Sequence, residues 1–465
     1  MTSADVAENP EPTMNKCQIV KNFVVLSYGW VCLFTAFNAI TNLQTSLNRE
    51  GGVGVDSLAT IYSVQILSCM FLPDFFISRL GCKWTISVTM CGYTLYMAAN
   101  FYAVKATMIP AAVFLGLCSA PLWSAKGTAM TQLAVWYAGV TGQDSSGIIN
   151  NFFGIFFMFH HSTQIWGNLI SSMVFTSTST NETYDSSCGA RFCPETSESK
   201  ISNFEQPSDK VYLVCTIYLV CAGVGVAAIT VLMDSFQLDT KPTPEQRQLS
   251  PRLLTSTFQH LLTSPAQMLL VPITLYRGLE SAFMGGEFTK SFVSCSLGIW
   301  NIGYVMICFG VANALFSVVS SRVAKYTGQA ALFVFAFIVH GGLQVVLLYW
   351  EPSRDQVTYF YVAAGVWGLG NAIIQTQTNA LYGCLFTDRL GLTFANHRLW
   401  EASGYAIAYA YSDYLCTDVK LVICLVILSL GMVGYIAVEV MRKRDSQEQY
   451  SLLQPPNNES NKNVD

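Results

Sequence analysis

The chain has 465 residues, 52% hydrophobic and 12% charged, with 25 Lys and Arg against 29 Asp and Glu for a net charge of −4; its mean hydropathy is +0.39. Soluble domains carry roughly 25% charged residues, so these values exclude an ordinary soluble domain and describe an integral membrane protein. The small net charge, with no basic stripe interleaved with aromatics, gives nucleic-acid binding nothing to rest on.

Residues 1–19 are polar and partly acidic and lack the basic start and cleavage site of a signal peptide. The first apolar span is therefore expected to stay in the membrane as a signal anchor. A spanning helix needs about 20 mostly apolar residues. Runs of that kind, bounded by charge, Gly or Pro, are predicted near 20–43, 57–78, 84–104, 107–132, 148–175, 211–233, 266–289, 298–320, 329–350, 357–382, 392–415 and 419–441. The expected fold is all-α, with about twelve transmembrane helices in two six-helix halves. The halves are 20–233 and 266–441, joined by a linker over 234–265 that holds Lys241-Pro242-Thr243-Pro244, with tails at 1–19 and 442–465.

Two internal echoes support the doubling. Gly116, Leu117 and Ala120 recur as Gly368, Leu369 and Ala372, and Arg79-Leu80-Gly81-Cys82-Lys83 finds a counterpart around Lys325 to Gln329 with its Gly328. Both echoes lie at nearly one offset, roughly 250 residues, as a repeated unit requires.

Translocating Lys and Arg is disfavoured, and a cytoplasmic N-terminus puts about 15 of them inside against about 8 outside. The 176–210 loop then faces outward, in keeping with its sequon Asn181-Glu182-Thr183 and its Cys188 and Cys193. Most of the 15 cysteines sit in predicted spans, where a free thiol behaves as a small apolar group. Cys188, Cys193, Cys295 and Cys416 fall in or near outer loops. One disulfide is expected among Cys188, Cys193 and Cys295, with the pairing open.

No enzyme motif survives inspection. Gly51-Gly52-Val53-Gly54 lacks the Lys-Ser/Thr ending of a phosphate loop, and no Gly-x-Ser-x-Gly or metalloprotease pattern is present. The adjacent His160 and His161 point about 100° apart on a helix and are expected to pack rather than share a metal. No catalytic residue, cofactor or metal is assigned.

Ionisable groups inside spans are costly and normally face a bundle interior, a wet cavity or a partner. Lys126 lies in the fourth span, Arg277, Glu280 and Glu287 in the seventh, and Arg398 and Glu401 in the eleventh. Asn38, Asn42 and Gln44 in the first span and Gln375, Gln377 and Asn379 in the tenth complete a polar set. Spans one, four, seven and ten carry most of it, the positions that would line a cavity between two pseudo-symmetric halves. Spacing pairs Arg277 with Glu280, Glu287 with Lys290 and Arg398 with Glu401.

From about Val20 to Met441 the chain resembles the Unc-93 family of the major facilitator superfamily. The resemblance is carried by Arg79-Leu80-Gly81-Cys82-Lys83, Ala120-Pro121-Leu122-Trp123-Ser124-Ala125, Phe153-Gly154-Ile155-Phe156-Phe157, Trp166 to Ser172, Gly303 to Phe309 and Arg398-Leu399-Trp400-Glu401-Ala402. It departs from the wider superfamily where Ser78 takes the place of the inner-loop Asp that helps latch the halves, while Arg79, Gly81 and Lys83 remain. The resemblance implies a multi-pass plasma-membrane protein, with endosomes as a second location, that acts as an accessory regulator of a potassium channel and hence of membrane potential. The competing readings are a secondary transporter of a small solute or ion and a trafficking chaperone for membrane receptors; Tyr450-Ser451-Leu452-Leu453 fits an endocytic signal. The implied partners are the lipid bilayer, a potassium channel subunit or another membrane protein, and, for a carrier, a small solute or ion.

Overall fold

The computed structural model describes residues 14–47, 53–174, 188–193, 208–236, 261–298, 300–386, 390–412 and 414–453. Asn181, most of the 176–210 loop, Lys241 to Pro244 and both chain ends lie outside the described residues, as do the side chains of Asn42, Gln44 and Tyr450 to Leu453. Eleven principal helices run in chain order among the described residues: α1 Lys16–Leu47, α2 Val53–Cys69, α3 Leu72–Ala99, α4 Lys105–Thr141, α5 Ser145–Val174, α6 Ser208–Leu232, α7 Pro265–Ala282, α8 Trp300–Tyr349, α9 Val357–Leu385, α10 Leu390–Tyr411 and α11 Thr417–Leu453.

Six helices among the described residues are long and apolar enough to cross a membrane, and the bent pair Asp56–Cys69 and Leu72–Tyr102 makes a seventh. α11 illustrates why they need lipid. Leu421, Cys424, Leu428 and Tyr435 are buried against the bundle, whereas Val422, Val426, Leu430, Val433 and Val440 are exposed on the other side. A helix apolar on all sides finds a favourable solvent for both faces only in a bilayer.

The 50 residues of α8 would extend about 75 Å at 1.5 Å per residue, far beyond the roughly 30 Å hydrocarbon core. Gly328 breaks it, at φ 80° and ψ 162°. Gly81 breaks α3 in the same way, at φ 72° and ψ 173°. Only glycine adopts this region without strain, so the two glycines picked out by the sequence echo make the same turn. Splitting α3 and α8 there, with α2 and the first segment of α3 counted as one bent crossing, gives an arrangement consistent with twelve crossings. The second echo is structural too. A Cβ on Gly116 would meet the Ile61 carbonyl of α2, and one on Gly368 the Phe309 carbonyl of α8, each at 2.7 Å. Glycine thus permits equivalent close helix approaches in each half.

Helices before and after the linker pack across a shared interface, α5 against α8 and α9, and α10 against α2 and α4. Tyr62 of α2 stacks on Tyr405 of α10, with ring centroids 4.6 Å apart and planes within 9°. α7 does not end where the apolar run suggests. It continues as a π-helix over Phe283–Ser294, whose i→i+5 bonding widens the turn.

Candidate functional site

The polar centre of the bundle is built where α7 and α10 touch. A Cβ on Gly278 would clash with the Glu401 carbonyl, and one on Gly404 with the Leu275 carbonyl, so two facing glycines let the backbones meet. This approach sets Arg277 and Glu280 beside Arg398 and Glu401, far from bulk water. All four are at least nine-tenths buried.

Each charge has a defined partner. Arg277 Nη1 donates to Glu280 Oε1 at 2.6 Å and to the Ser281 hydroxyl, and its Nη2 donates to Gln375 Oε1 at 2.6 Å. The second Glu280 oxygen accepts the Trp367 indole N–H at 2.8 Å. Trp367 is itself held through its carbonyl, 2.9 Å from His340 Nε2, while His340 Nδ1 lies 2.8 Å from the Tyr276 hydroxyl. On α10, Arg398 Nη1 donates to Glu401 Oε2, and His397 Nδ1 lies 3.6 Å from the same oxygen. Buried ion pairs survive desolvation when further hydrogen bonds satisfy them, and Glu280 meets that condition on both oxygens.

Beside this network lies a cavity of about 90 Å³ lined from both halves, by Asn38, Tyr62, Gln65, Trp123 and His160 on one side and Arg277, Gln375, Arg398, Glu401 and Tyr405 on the other. Of the residues selected from sequence, Arg277, Gln375 and Glu401 form its wall, and Glu280 stands behind Arg277. Asn38 also reaches the cavity, donating to Thr163 Oγ1 at 2.9 Å. Asn379 instead donates to the Gln375 carbonyl of its own helix at 2.9 Å, and does not line the cavity.

Lys126 sits next to this wall, only 1% exposed. Its ammonium lies 4.9 Å from the Trp123 ring centroid, 4.8 Å from both Phe156 and Phe157, 5.7 Å from Trp30 and 5.8 Å from Phe153. The Arg398 guanidinium lies 3.5 Å from the centroid of that same Trp123 ring. Five ring faces attract a cation electrostatically.

Glu287 departs from expectation. Its Oε2 pairs with Lys420 Nζ at 2.7 Å, and its Oε1 accepts the Ser412 hydroxyl at 2.5 Å. Lys290 lies over the Phe192 ring instead, 5.9 Å from its centroid. The i,i+3 pairing presumed α-helical pitch, and the π-helix carries Lys290 off the face that holds Glu287.

The cysteines differ too. Cys188 is bonded to Cys295 and Cys193 to Cys416. Two bridges replace the single one expected, and Cys416 enters as a partner. The short segment between Cys188 and Cys193 is further held on the C-terminal half by an Arg191–Glu351 ion pair at 2.9 Å and by the Thr417 N–H donating to the Phe192 carbonyl at 3.0 Å.

Sequence reasoning passed over Tyr62, Tyr405, Trp367 and Lys420. The tyrosines and Trp367 lie within apolar runs and carry no charge signal. Lys420 lies near the start of the last predicted span, where a lysine reads as an interfacial flank.

With this geometry in view, comparison with known proteins is informative. A family model described as "Ion channel regulatory protein UNC-93" matches residues 49–437. The chain belongs to the UNC-93 family. Protein unc-93 homolog A of Xenopus laevis is 40% identical over 451 residues, covering 95% of this chain and 98% of its own length. The putative potassium channel regulatory protein unc-93 of Caenorhabditis elegans is 36% identical over 436 residues, 91% of this chain and 61% of that protein. The major facilitator superfamily transporter FucP, in its outward conformation, superimposes with a TM-score of 0.62 at 11% identity, over 90% of this chain and 99% of that one. At that identity the likeness is one of fold, and the fold is that of the major facilitator superfamily.

Arg79, Gly81 and Lys83 of this UNC-93 chain can now be placed. Arg79 lies over the Phe75 ring at 4.9 Å and Lys83 over Trp84 at 5.2 Å, on either side of the Gly81 break. Ser78 donates its hydroxyl to the Phe75 carbonyl one turn back, at 3.2 Å.

Proposed function

We propose that this chain is a non-enzymatic accessory protein of the plasma membrane that regulates a potassium channel. The observation that carries the reading is the self-pairing of the intramembrane charge. Glu280, Glu401 and Glu287 each meet a cation of the same chain at 2.7 Å or closer. The central cavity, about 90 Å³, is well below the roughly 300–1,000 Å³ of pockets that bury drug-sized ligands. A hydroxyl at Ser78 in place of a carboxylate is in keeping with a protein not selected for rocking. The name of the Caenorhabditis elegans relative supplies the partner class. In this reading 20–233 and 266–441 are two halves held in one arrangement, both chain ends are cytoplasmic, and the lipid-facing apolar surfaces offer the contacts for a channel subunit.

A carrier is the competing reading, favoured by one observation: the cavity is lined from both halves of a transporter fold. The experiment sets the two side by side. Candidate potassium channels are recorded with and without the chain, and the purified chain in liposomes is tested for gradient-driven uptake. A changed open probability or voltage dependence of one channel, with no saturable uptake, is the expected result. Saturable uptake with every current unchanged overturns it.

A further inference from the structure

We infer that the central cavity is a binding site for one small monovalent anion, of halide or short-carboxylate size. The inference concerns the cavity alone and does not depend on the channel reading.

Charge balance is the first ground. Around the cavity the described residues place three side-chain cations, Lys126, Arg277 and Arg398, and two carboxylates, Glu280 and Glu401. Glu280 is joined to Arg277 and Glu401 to Arg398. Lys126 has no hydrogen bond or ion pair among the described residues, only its ring contacts. His397, beside Glu401, adds no negative charge. Glu287 cannot supply the missing one, because it is bonded to Lys420. A protonated Lys126 therefore carries one positive charge in excess within the buried interior. The aromatic cage offsets part of the cost of its desolvation, and an anion within a few ångströms offsets the rest, since opposite charges attract strongly at low dielectric.

The second ground is the character of the wall. Arg277 is 6% exposed and lines the cavity, and its Nε–H has no acceptor among the described residues. A buried donor of this kind is expensive to leave unpaired. His160 accepts the Trp30 indole N–H at Nδ1, 3.1 Å away, which leaves its own proton on Nε2 as a second donor on the wall. Trp123 bridges the site electrostatically, with Arg398 and Lys126 against one indole. Donors without acceptors, beside an unbalanced cation, select an anion.

Size sets the class. A water needs roughly 10–15 Å³ of such space, so about 90 Å³ admits a halide or a two-carbon carboxylate with a few waters and excludes a sugar acid.

The test follows the thermal unfolding midpoint of the purified full chain in nanodiscs as gluconate is replaced by chloride, or by acetate, at constant ionic strength and pH. A ligand that binds only the folded state raises the midpoint saturably. Wild type is expected to respond to chloride or acetate, and Lys126→Arg, which keeps the charge, to respond as well. Lys126→Met, whose thioether suits an aromatic cage, is expected to need at least about tenfold more anion, the effect of losing one buried unit charge. Should that variant fail to fold, equilibrium dialysis of wild type with radiolabelled chloride and acetate, expected to saturate at one anion per chain, decides the matter. Identical wild-type midpoints in all three salts, an undiminished response in Lys126→Met, or no saturable binding in dialysis overturns the inference.

Discussion

Gly278 of α7 and Gly404 of α10 face one another so closely that neither position has room for a Cβ. The contact joins two helices that carry the buried ions, so it fixes the separation of Arg277 from Glu401 as well as the packing. Gly404→Ala is expected to push the helices apart at a cost of about 1–3 kcal/mol, the usual penalty for overpacking. It should lower the thermal midpoint of the purified chain. Gly342→Ala in α8 is the control, because nothing lies within 4 Å of its would-be Cβ, and removing a helical glycine there should be neutral or stabilising by up to about 1 kcal/mol. Equal midpoints for the two variants would remove the packing account.

The span pattern was legible in the sequence because lipid imposes a length and a composition on each crossing. The turns at Gly81 and Gly328 were legible because duplication left one glycine per copy. Arg277–Glu280 and Arg398–Glu401 followed from helix pitch, since both lie in regular helix. Lys420 as the partner of Glu287 did not follow, for two reasons. A π-helix leaves no clear mark on hydropathy, and Lys420 is 133 positions away in a different helix, where only tertiary packing brings it near. Cys416 was missed on similar grounds, because loop cysteines have no intrinsic partner until the ends of their helices are placed.

Glu280 is hydrogen-bonded on both oxygens, to Arg277 and to Trp367. Glu280→Gln leaves Arg277 as a buried cation facing an amide, and breaking a buried pair from one side costs about 3–5 kcal/mol. The expected outcome is a sharp fall in the monodisperse fraction on size-exclusion chromatography. Arg277→Gln combined with Glu280→Gln removes both charges and should recover much of that loss, a coupling that a double-mutant cycle measures. Additive losses would mean that the two side chains do not act as a pair.

Lys420 and Glu287 make the same kind of contact near the Ser291–Thr417 hydrogen bond. Lys420→Met is expected to destabilise the fold by about 3–5 kcal/mol, since it strands a carboxylate that is 6% exposed. Lys290→Met is expected to cost less, because Glu287 keeps the cation it is bonded to. Thermal midpoints of the two variants check this. The reverse ranking would restore the helix-pitch pairing of Glu287 with Lys290.

Asn181 lies outside the described residues, but the topology proposed above places it on the same side as the two disulfides. Glycosidase treatment of the chain from cells is expected to lower its apparent mass, and Asn181→Gln should abolish the shift. A C-terminal tag should stay inaccessible to antibody until the cells are permeabilised. An unchanged wild-type mass together with a tag that antibody reaches on intact cells would invert the proposed orientation.

The disulfides join parts of the chain that lie on either side of residues 237–260: Cys188 and Cys193 precede that stretch, and Cys295 and Cys416 follow it. A protease site inserted there should yield two fragments that run as one species on non-reducing gels and separate on reduction. Each bond alone holds them, so Cys188→Ser and Cys193→Ser singly should leave the non-reduced species intact, and only the double variant should release the fragments. Each single loss is expected to cost about 2–4 kcal/mol, as for other long-loop bridges, and to reduce surface delivery. Because the bonded segment also meets Glu351 and Thr417 of the C-terminal half, the fragments of the double variant should still copurify under native conditions and part only in denaturant. Release of the fragments by either single substitution would mean that one of the two bridges does not form.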